Sequence, residues 1–213
     1  MTIMIIDTET TGLFPRGCTD ITKSVVWECC RMVQIAWRKY DETTDALVDK
    51  ACYTIKPDGY VIPEVPAKIH GITTEIATDT GIPIRDFFKL FAEAIEDVTF
   101  VVAHNVRFDD TVIQSELYRY EQTELYTKWC KKEKKCTMIM GNEWRRGIIK
   151  KRQREATNDG AALTEFYNGK WMKLAELYKI CFNKEPTEIL HRADADVSIC
   201  ADIYFHMKNT KID

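Results

Sequence analysis

The order of β-rich and helix-periodic stretches predicts an α/β protein with a mixed sheet covered by helices. Two observations carry that expectation. Three strand-like runs crowd the first 57 residues, and a further strand is wedged between two helix-periodic stretches after residue 83. Residues 2–6 (TIMII) are a short apolar run leading straight into Asp7, the pattern of a buried strand. The segment 8–30 holds Gly12, Pro15 and Gly17 and reads mostly as loop. MVQIAWRKY (32–40) and LVDKACYTIKP (47–57) flank a polar DETTDA, which favours an antiparallel pair and, with the first strand, a three-stranded meander.

Pro57, Gly59, Pro63 and Pro66 predict irregular structure next, followed by a short helix after His70-Gly71 that Thr73 or Thr74 caps. From Pro83, Phe87, Phe88, Leu90, Phe91, Ala94, Ile95 and Val98 recur at helical intervals, with Asp86, Lys89, Glu93 and Glu96 on the other side. TFVVAHN (99–105) reads as a strand, and a second helix near Arg107 carries Val112, Ile113, Leu117 and Tyr120. A strongly charged stretch without clear period follows. Ala161, Ala162, Leu163 and Phe166, then Leu174, Leu177 and Tyr178, mark further helical sequence. The last helix starts after His191 and buries Val197, Cys200, Ala201 and Tyr204.

At 213 residues, 45% hydrophobic and 30% charged, the chain suits one folded domain over 1–213 and excludes a disordered chain. No apolar run approaches the ~18 residues of a bilayer span. A carboxylate at position 7 interrupts any secretory signal, so an intracellular, cytoplasmic protein without membrane attachment is expected. Eight cysteines without a C-x-x-C fit reduced thiols and no zinc motif, and their spacing gives no oligomer signal. The net charge of -3 neither predicts nor excludes a polyanionic partner.

Asp7-Thr8-Glu9 is the most informative tripeptide. In a strand, residues i and i+2 share a face, so both carboxylates project side by side. Two like charges held together call for a divalent cation, and oxygen ligands suit magnesium or manganese better than zinc. Asp109, in His104-Asn105-Val106-Arg107-Phe108-Asp109, follows a second apolar strand and belongs in the first turn of the next helix, where it can meet Asp7. Asp196 follows His191 by five residues and shares an inward face with Cys200, whereas Asp194 and Asp202 point to solvent. His70, His104 and His206 read as structural or surface residues.

Asp7-Thr8-Glu9-Thr10-Thr11-Gly12, His104-Asn105-x-x-Phe108-Asp109 and His191-x-x-x-x-Asp196 occur in one order that resembles the DEDDh branch of the 3'-to-5' exonucleases. The resemblance spans residues 2 to about 206 and implies an RNase H-like fold, with a central mixed five-stranded sheet flanked by helices. It also implies hydrolysis from a 3' end with release of nucleoside 5'-monophosphates. Asp7, Glu9, Asp109 and Asp196 match the family's metal ligands, and His191 matches its general base. Thr10, Thr11 and Leu13 fall where the family contacts the terminal nucleotide, and Asn105 and Phe108 match its second motif. The chemistry is coherent: four carboxylates can hold two divalent ions ~3.5–4 Å apart, Mg2+ or Mn2+ in its place, for an in-line displacement. A histidine can take the attacking water's proton near neutral pH.

Two segments depart from the compact family pattern. The loop at about 14–30, carrying cysteines and Trp27, follows the terminal-nucleotide contacts and can shape the substrate entrance. The segment 128–154 holds eleven basic residues against two acidic, with Trp129 and Trp144 among them. It reads as a surface that tracks phosphates, with Lys150, Lys151 and Arg152 as its centre. The expected partner is DNA with a free, single-stranded or frayed 3' end, and a separate polymerase or repair protein is a possible companion. RNA is the alternative substrate; a catalytically idle nucleic-acid-binding module and an endonuclease are lesser ones.

Overall fold

The computed structural model describes residues 1–18, 20–155, 171–187 and 191–210. These form a five-stranded mixed sheet with helices on both faces. The strands are β1 (Thr2–Thr10), β2 (Met32–Asp41), β3 (Leu47–Thr54), β4 (Val98–Ala103) and β5 (Glu133–Cys136), in the order β3-β2-β1-β4-β5. β1 pairs antiparallel with β2 and parallel with β4; β2–β3 is antiparallel and β4–β5 parallel. The helices are α1 (Ser24–Cys29), α2 (Glu64–His70), α3 (Thr74–Thr80), α4 (Ile84–Ala94), α5 (Val106–Arg119), α6 (Thr123–Cys130), α7 (Thr137–Glu155), α8 (Leu174–Phe182) and α9 (Ala193–Asn209).

The alternation of β1 decides which helix meets which face. Met4 and Ile6 pack with Phe87 and Phe91 of α4 and Val112 and Leu117 of α5. Ile3 and Ile5 pack on the other side with Val197, Cys200, Ala201 and Tyr204 of α9. Asp7 and Glu9 continue that second set, so they lie on the α9 side. The meander and the buried Cys200 match expectation, and so does the α4 stripe at Phe87, Phe88, Phe91 and Ile95, whereas Leu90, expected on the same face, is exposed. Thr73 caps α3, its hydroxyl accepting from the Ile76 N–H at 3.3 Å.

Several elements differ from the sequence reading. β1 runs on to Thr10, so Asp7 and Glu9 sit within the strand, and a short helix, α1, interrupts the 8–30 loop. α2 forms where prolines predicted irregular chain. Pro63 precedes it and Pro66 falls in its first turn, where the backbone N–H has no helical partner to lose. Val98 opens β4 instead of ending α4, because α4 stops at Ala94. β5 is a strand of Glu-Lys-Lys-Cys whose lysine stems cover aromatic faces: Lys134 Nζ lies 4.5 Å from the Trp129 ring centre and Lys135 Nζ 3.3 Å from that of Phe100. His206 is half-buried, its ring 5.5 Å from Trp144 and 4.8 Å from Phe182. The helical sequence expected at 161–166 lies outside the described residues, as does the Trp27 side chain.

A buried ion pair locks β2 to α5. Arg31 Nε donates to Glu116 Oε1 at 2.8 Å and Nη2 to Oε2 at 3.2 Å, with both side chains 2% exposed. The Met32 N–H also donates to Glu116, Arg31 reaches the Tyr120 hydroxyl, and the guanidinium stacks 4.2 Å from the Tyr60 ring centre. Removing one partner leaves the other charged and desolvated. Glu116→Ala is therefore expected to cost about 3–5 kcal/mol of stability, read as a lower urea midpoint at unchanged m value.

Candidate active site

Apolar alternation on β1 turns acidic as the strand approaches its end. Asp7 and Glu9 share the α9 side, and Asp196, in the first turn of α9, meets them there. One carboxylate oxygen from each of the three lies within 4.8 Å of the others. Asp109 is placed differently. It comes from the first turn of α5, on the opposite layer, and its Oδ1 accepts the Thr8 hydroxyl at 2.8 Å. The sequence reading expected four carboxylates to converge tightly; three do, and the fourth is held beside them by the threonine between Asp7 and Glu9. Its charge still acts on the group, as the largest carboxylate contribution at Asp7.

All four carboxyls are harder to ionise than in water. Burial, then the charges of Asp109, Asp196 and Glu9, pushes Asp7 well up. Glu9 is pushed up to about 8 by burial and by Asp196 and Asp109. Burial raises Asp109 to about 7 despite the Thr8 hydrogen bond, and raises Asp196 despite the bond from the His191 N–H. Asp196 Oδ2 accepts that N–H at 3.1 Å, while its Oδ1 is buried without a hydrogen-bond partner among the described residues. A hard divalent cation answers each of these features: it offsets the repulsion, favours the ionised form and satisfies the orphaned oxygen. The donor set fits such an ion.

His191 is exposed, two residues before the start of α9, with its backbone in the left-handed region (φ 65°). Its N–H bond to Asp196 ties the expected base to an expected ligand. Gln34 is the residue sequence reasoning missed. It sits directly opposite Glu9 on β2, is buried, accepts the Ala193 N–H at 3.2 Å and donates to Thr54 Oγ1 at 3.3 Å. Arg192, the residue preceding α9, makes no capping bond with its side chain, so Gln34 does that work from the sheet. The available signal was a lone amide within the apolar first half of β2, MVQIAW.

The Thr10-Thr11-Gly12 turn is bonded internally. Thr10 Oγ1 donates to the Gly12 carbonyl at 2.7 Å, Thr11 Oγ1 accepts the Arg31 N–H at 2.9 Å, and Cys30 Sγ donates to the Gly12 carbonyl at 3.0 Å. Both threonine hydroxyls are thus engaged with the protein. Leu13 is 79% exposed, and Phe108 meets Phe14 with ring centres 5.6 Å apart. Asn105 is exposed at the left-handed residue before α5. His104 bridges Thr137 Oγ1 (3.0 Å) and the Met172 carbonyl (2.9 Å), and buried His70 accepts the Ile72 N–H at 3.2 Å; both are structural, as expected.

The front of the basic segment is not an open phosphate track. Lys128 pairs with Glu96 at 3.3 Å, Lys132 donates to the Val98 carbonyl, and Lys134 donates to the Trp129 carbonyl and lies 3.6 Å from Asp110. Trp129 and Trp144 are buried in the core. α7 continues through Lys150, Lys151 and Arg152, but their side chains lie outside the described residues. Among the described residues no helix is long and apolar enough to cross a membrane.

Comparison with known proteins finds relatives of the whole fold. A DNA polymerase III subunit epsilon-like protein of Rhodobacter capsulatus is 30% identical over 109 residues, covering 51% of this chain and 14% of that protein. Exonuclease I of E. coli in complex with a dT13 oligonucleotide superposes with a TM-score of 0.69 at 20% identity, over 98% of this chain and 41% of that one. Exonuclease I of Methylocaldum szegediense does so with 0.65 at 20% identity, over 99% and 41%. The chain thus spans less than half the length of these proteins. The family model for exonucleases of the RNase T type matches residues 4–204. With its mixed five-stranded sheet and its DEDDh-type motifs in order, the chain belongs to that exonuclease family.

Proposed function

We propose that the protein is a Mg2+-dependent 3'-to-5' exonuclease that shortens single-stranded or frayed DNA ends and releases nucleoside 5'-monophosphates. The convergence of Asp7, Glu9 and Asp196, with Asp109 coupled to them, carries the reading. Asp7, Glu9, Asp196 and Asp109 would hold the ions, for which Mn2+ can substitute. When bound, divalent cations supply the positive charge that an in-line displacement at phosphorus needs on its attacking and leaving oxygens. His191 takes the proton of the attacking water; its exposed ring and its N–H bond to Asp196 support that role. Leu13 and Phe108 offer an apolar seat for the terminal base, beside the internally bonded Thr10-Thr11 turn. The oligodeoxynucleotide complexes of the structural neighbours support DNA over RNA, and the name of the Rhodobacter relative supports work beside a separate polymerase. Eight free cysteines support a reducing compartment, the cytoplasm.

A 5'-labelled DNA strand with Mg2+ is expected to shorten one nucleotide at a time, and to stay intact with chelator. Asp7→Ala should abolish shortening in a protein that still folds. His191→Ala should slow it by ~10²–10⁴; full activity in that variant would assign the proton to another base. A matched RNA strand should be degraded more slowly, and faster loss of RNA would reverse the substrate assignment.

The raised carboxyls also set a pH dependence with a definite sign. Unfolded Asp and Glu titrate near ~4, whereas folded Asp109 and Glu9 titrate at about 7 and about 8. The folded chain therefore holds protons that the unfolded chain has released. Their stabilising contribution is complete below ~4 and is lost as pH climbs through 7 to 8. Metal-free protein should melt at progressively lower temperature over that window. Added Mn2+ should raise the melting temperature more at the alkaline end than at the acidic end, and equal gains at both would place the ion away from these carboxylates.

A further inference from the structure

Arg38 on β2 and Lys50 on β3 are direct cross-strand partners, on the sheet face that carries Gln34 and looks towards α9. Like charges set opposite each other weaken an antiparallel pair. Arg38 is half-buried and Lys50 exposed, and among the described residues neither has a carboxylate within ion-pairing distance. One step along the same strands the arrangement is the reverse: Lys39 faces Asp49 and pairs with Asp97 at 2.6 Å. The sheet matches charges on that face and leaves two cations unmatched on this one.

The unmatched pair lines a cleft of about 280 Å³ between β3 and the start of α9. Cys52 lies in its lining, and Asp194 and Val197 form the helix wall. Asp194 is taken up by Arg192 at 3.3 Å, which leaves the cleft's balance positive. Asp194 and Val197 lie in the first turns of α9, the helix that also carries Asp196, so the cleft and the acidic cluster share the same helix start. Along β2, Arg38 is four residues from Gln34, the partner of Glu9, a separation of about 13 Å at the strand rise. That is the reach of a few nucleotides of extended strand.

We propose that this cleft is a binding subsite for the substrate strand, with Arg38 and Lys50 holding backbone phosphates a few nucleotides to the 5' side of the bond being cut. The subsite rests on the exonuclease reading and gives that activity a preference for longer single strands. Contacts of this kind supply affinity and register without reading base sequence.

The test compares Arg38→Ala/Lys50→Ala with wild type on a dinucleotide, too short to reach the cleft, and on a long single strand, in Mg2+ over a series of salt concentrations. KM for the long strand should rise about tenfold, and the slope of log affinity against log salt should become shallower by about 1.4, two lost single-strand contacts at ~0.7 each. Turnover of the dinucleotide should not change, and Arg38→Lys/Lys50→Arg should restore the long-strand KM. A long-strand KM and salt slope equal to wild type overturn the subsite. Equal damage to both substrates overturns it as well, since the pair would then be supporting the centre itself. Wild-type protein inert on both substrates overturns the exonuclease reading, and the subsite with it.

Discussion

Everything in the molecule is organised around a repulsion that the fold enforces. Asp7 and Glu9 share one face of β1, about 6.6 Å apart along the strand, and α9 brings Asp196 onto them. No lysine or arginine stands among the charges that set their proton affinity; the neighbours acting on Asp7 are carboxylates. A stable protein ordinarily relaxes such a cluster, because a backbone shift or an exchanged side chain is enough. Here the sheet forbids the shift. Ile3 and Ile5 are wedged beneath α9, and Met4 and Ile6 are wedged against α4 and α5, so β1 is fixed from both sides up to the residue where acid begins. The apolar core thus holds the carboxylates where they would not stay unaided.

The surrounding polar groups serve the same end. Gln34 caps α9 from the neighbouring strand and fixes the height of Asp196 relative to Glu9. The Arg31–Glu116 pair fastens the start of β2 to α5, and the Arg31 backbone in turn bonds Thr11 at the end of β1. α5 carries both Glu116 and Asp109, so one rigid helix sets the ion pair and the fourth carboxylate together. An error in packing α5 would therefore move the Thr10-Thr11 turn and Asp109 at once.

How much of this was legible depended on whether a residue's partner was near it in sequence. Asp7 and Glu9 were legible because period two in a strand puts them on one face whatever the rest of the chain does. The inward aim of Asp196 followed from its helical spacing to Cys200, and α4 from its aromatic stripe. β5 was not legible: its lysines mimic a solvated run, and only the Trp129 and Phe100 rings beneath them explain why a strand forms there. Tertiary packing likewise removed Trp129 and Trp144 from the surface to which their charged neighbours had assigned them, each in a separate core cluster. α2 was hidden because its prolines fall at the helix start, where they cost nothing. Gln34 carried a local signal, a polar side chain on a buried face, but its partner lies 159 residues away.

Asp109 exposes the logic of the first motif. The residue between the two acids points to the other side of β1, towards α5, and there its hydroxyl meets Asp109. A strand alone can place only alternate residues on one face, so a cage of four carboxylates cannot be built from β1 and α9 without help from the opposite layer. Thr8 is the hinge of that construction. Its hydroxyl donates to Asp109 and lowers the cost of ionising it, while burial keeps that cost high. A larger side chain at 8 would push α5 away, and an apolar one of the same size would leave a buried carboxylate short of a donor. The motif is therefore three constraints in three letters: two acids for one face, and between them a small donor that recruits the next acid from the other.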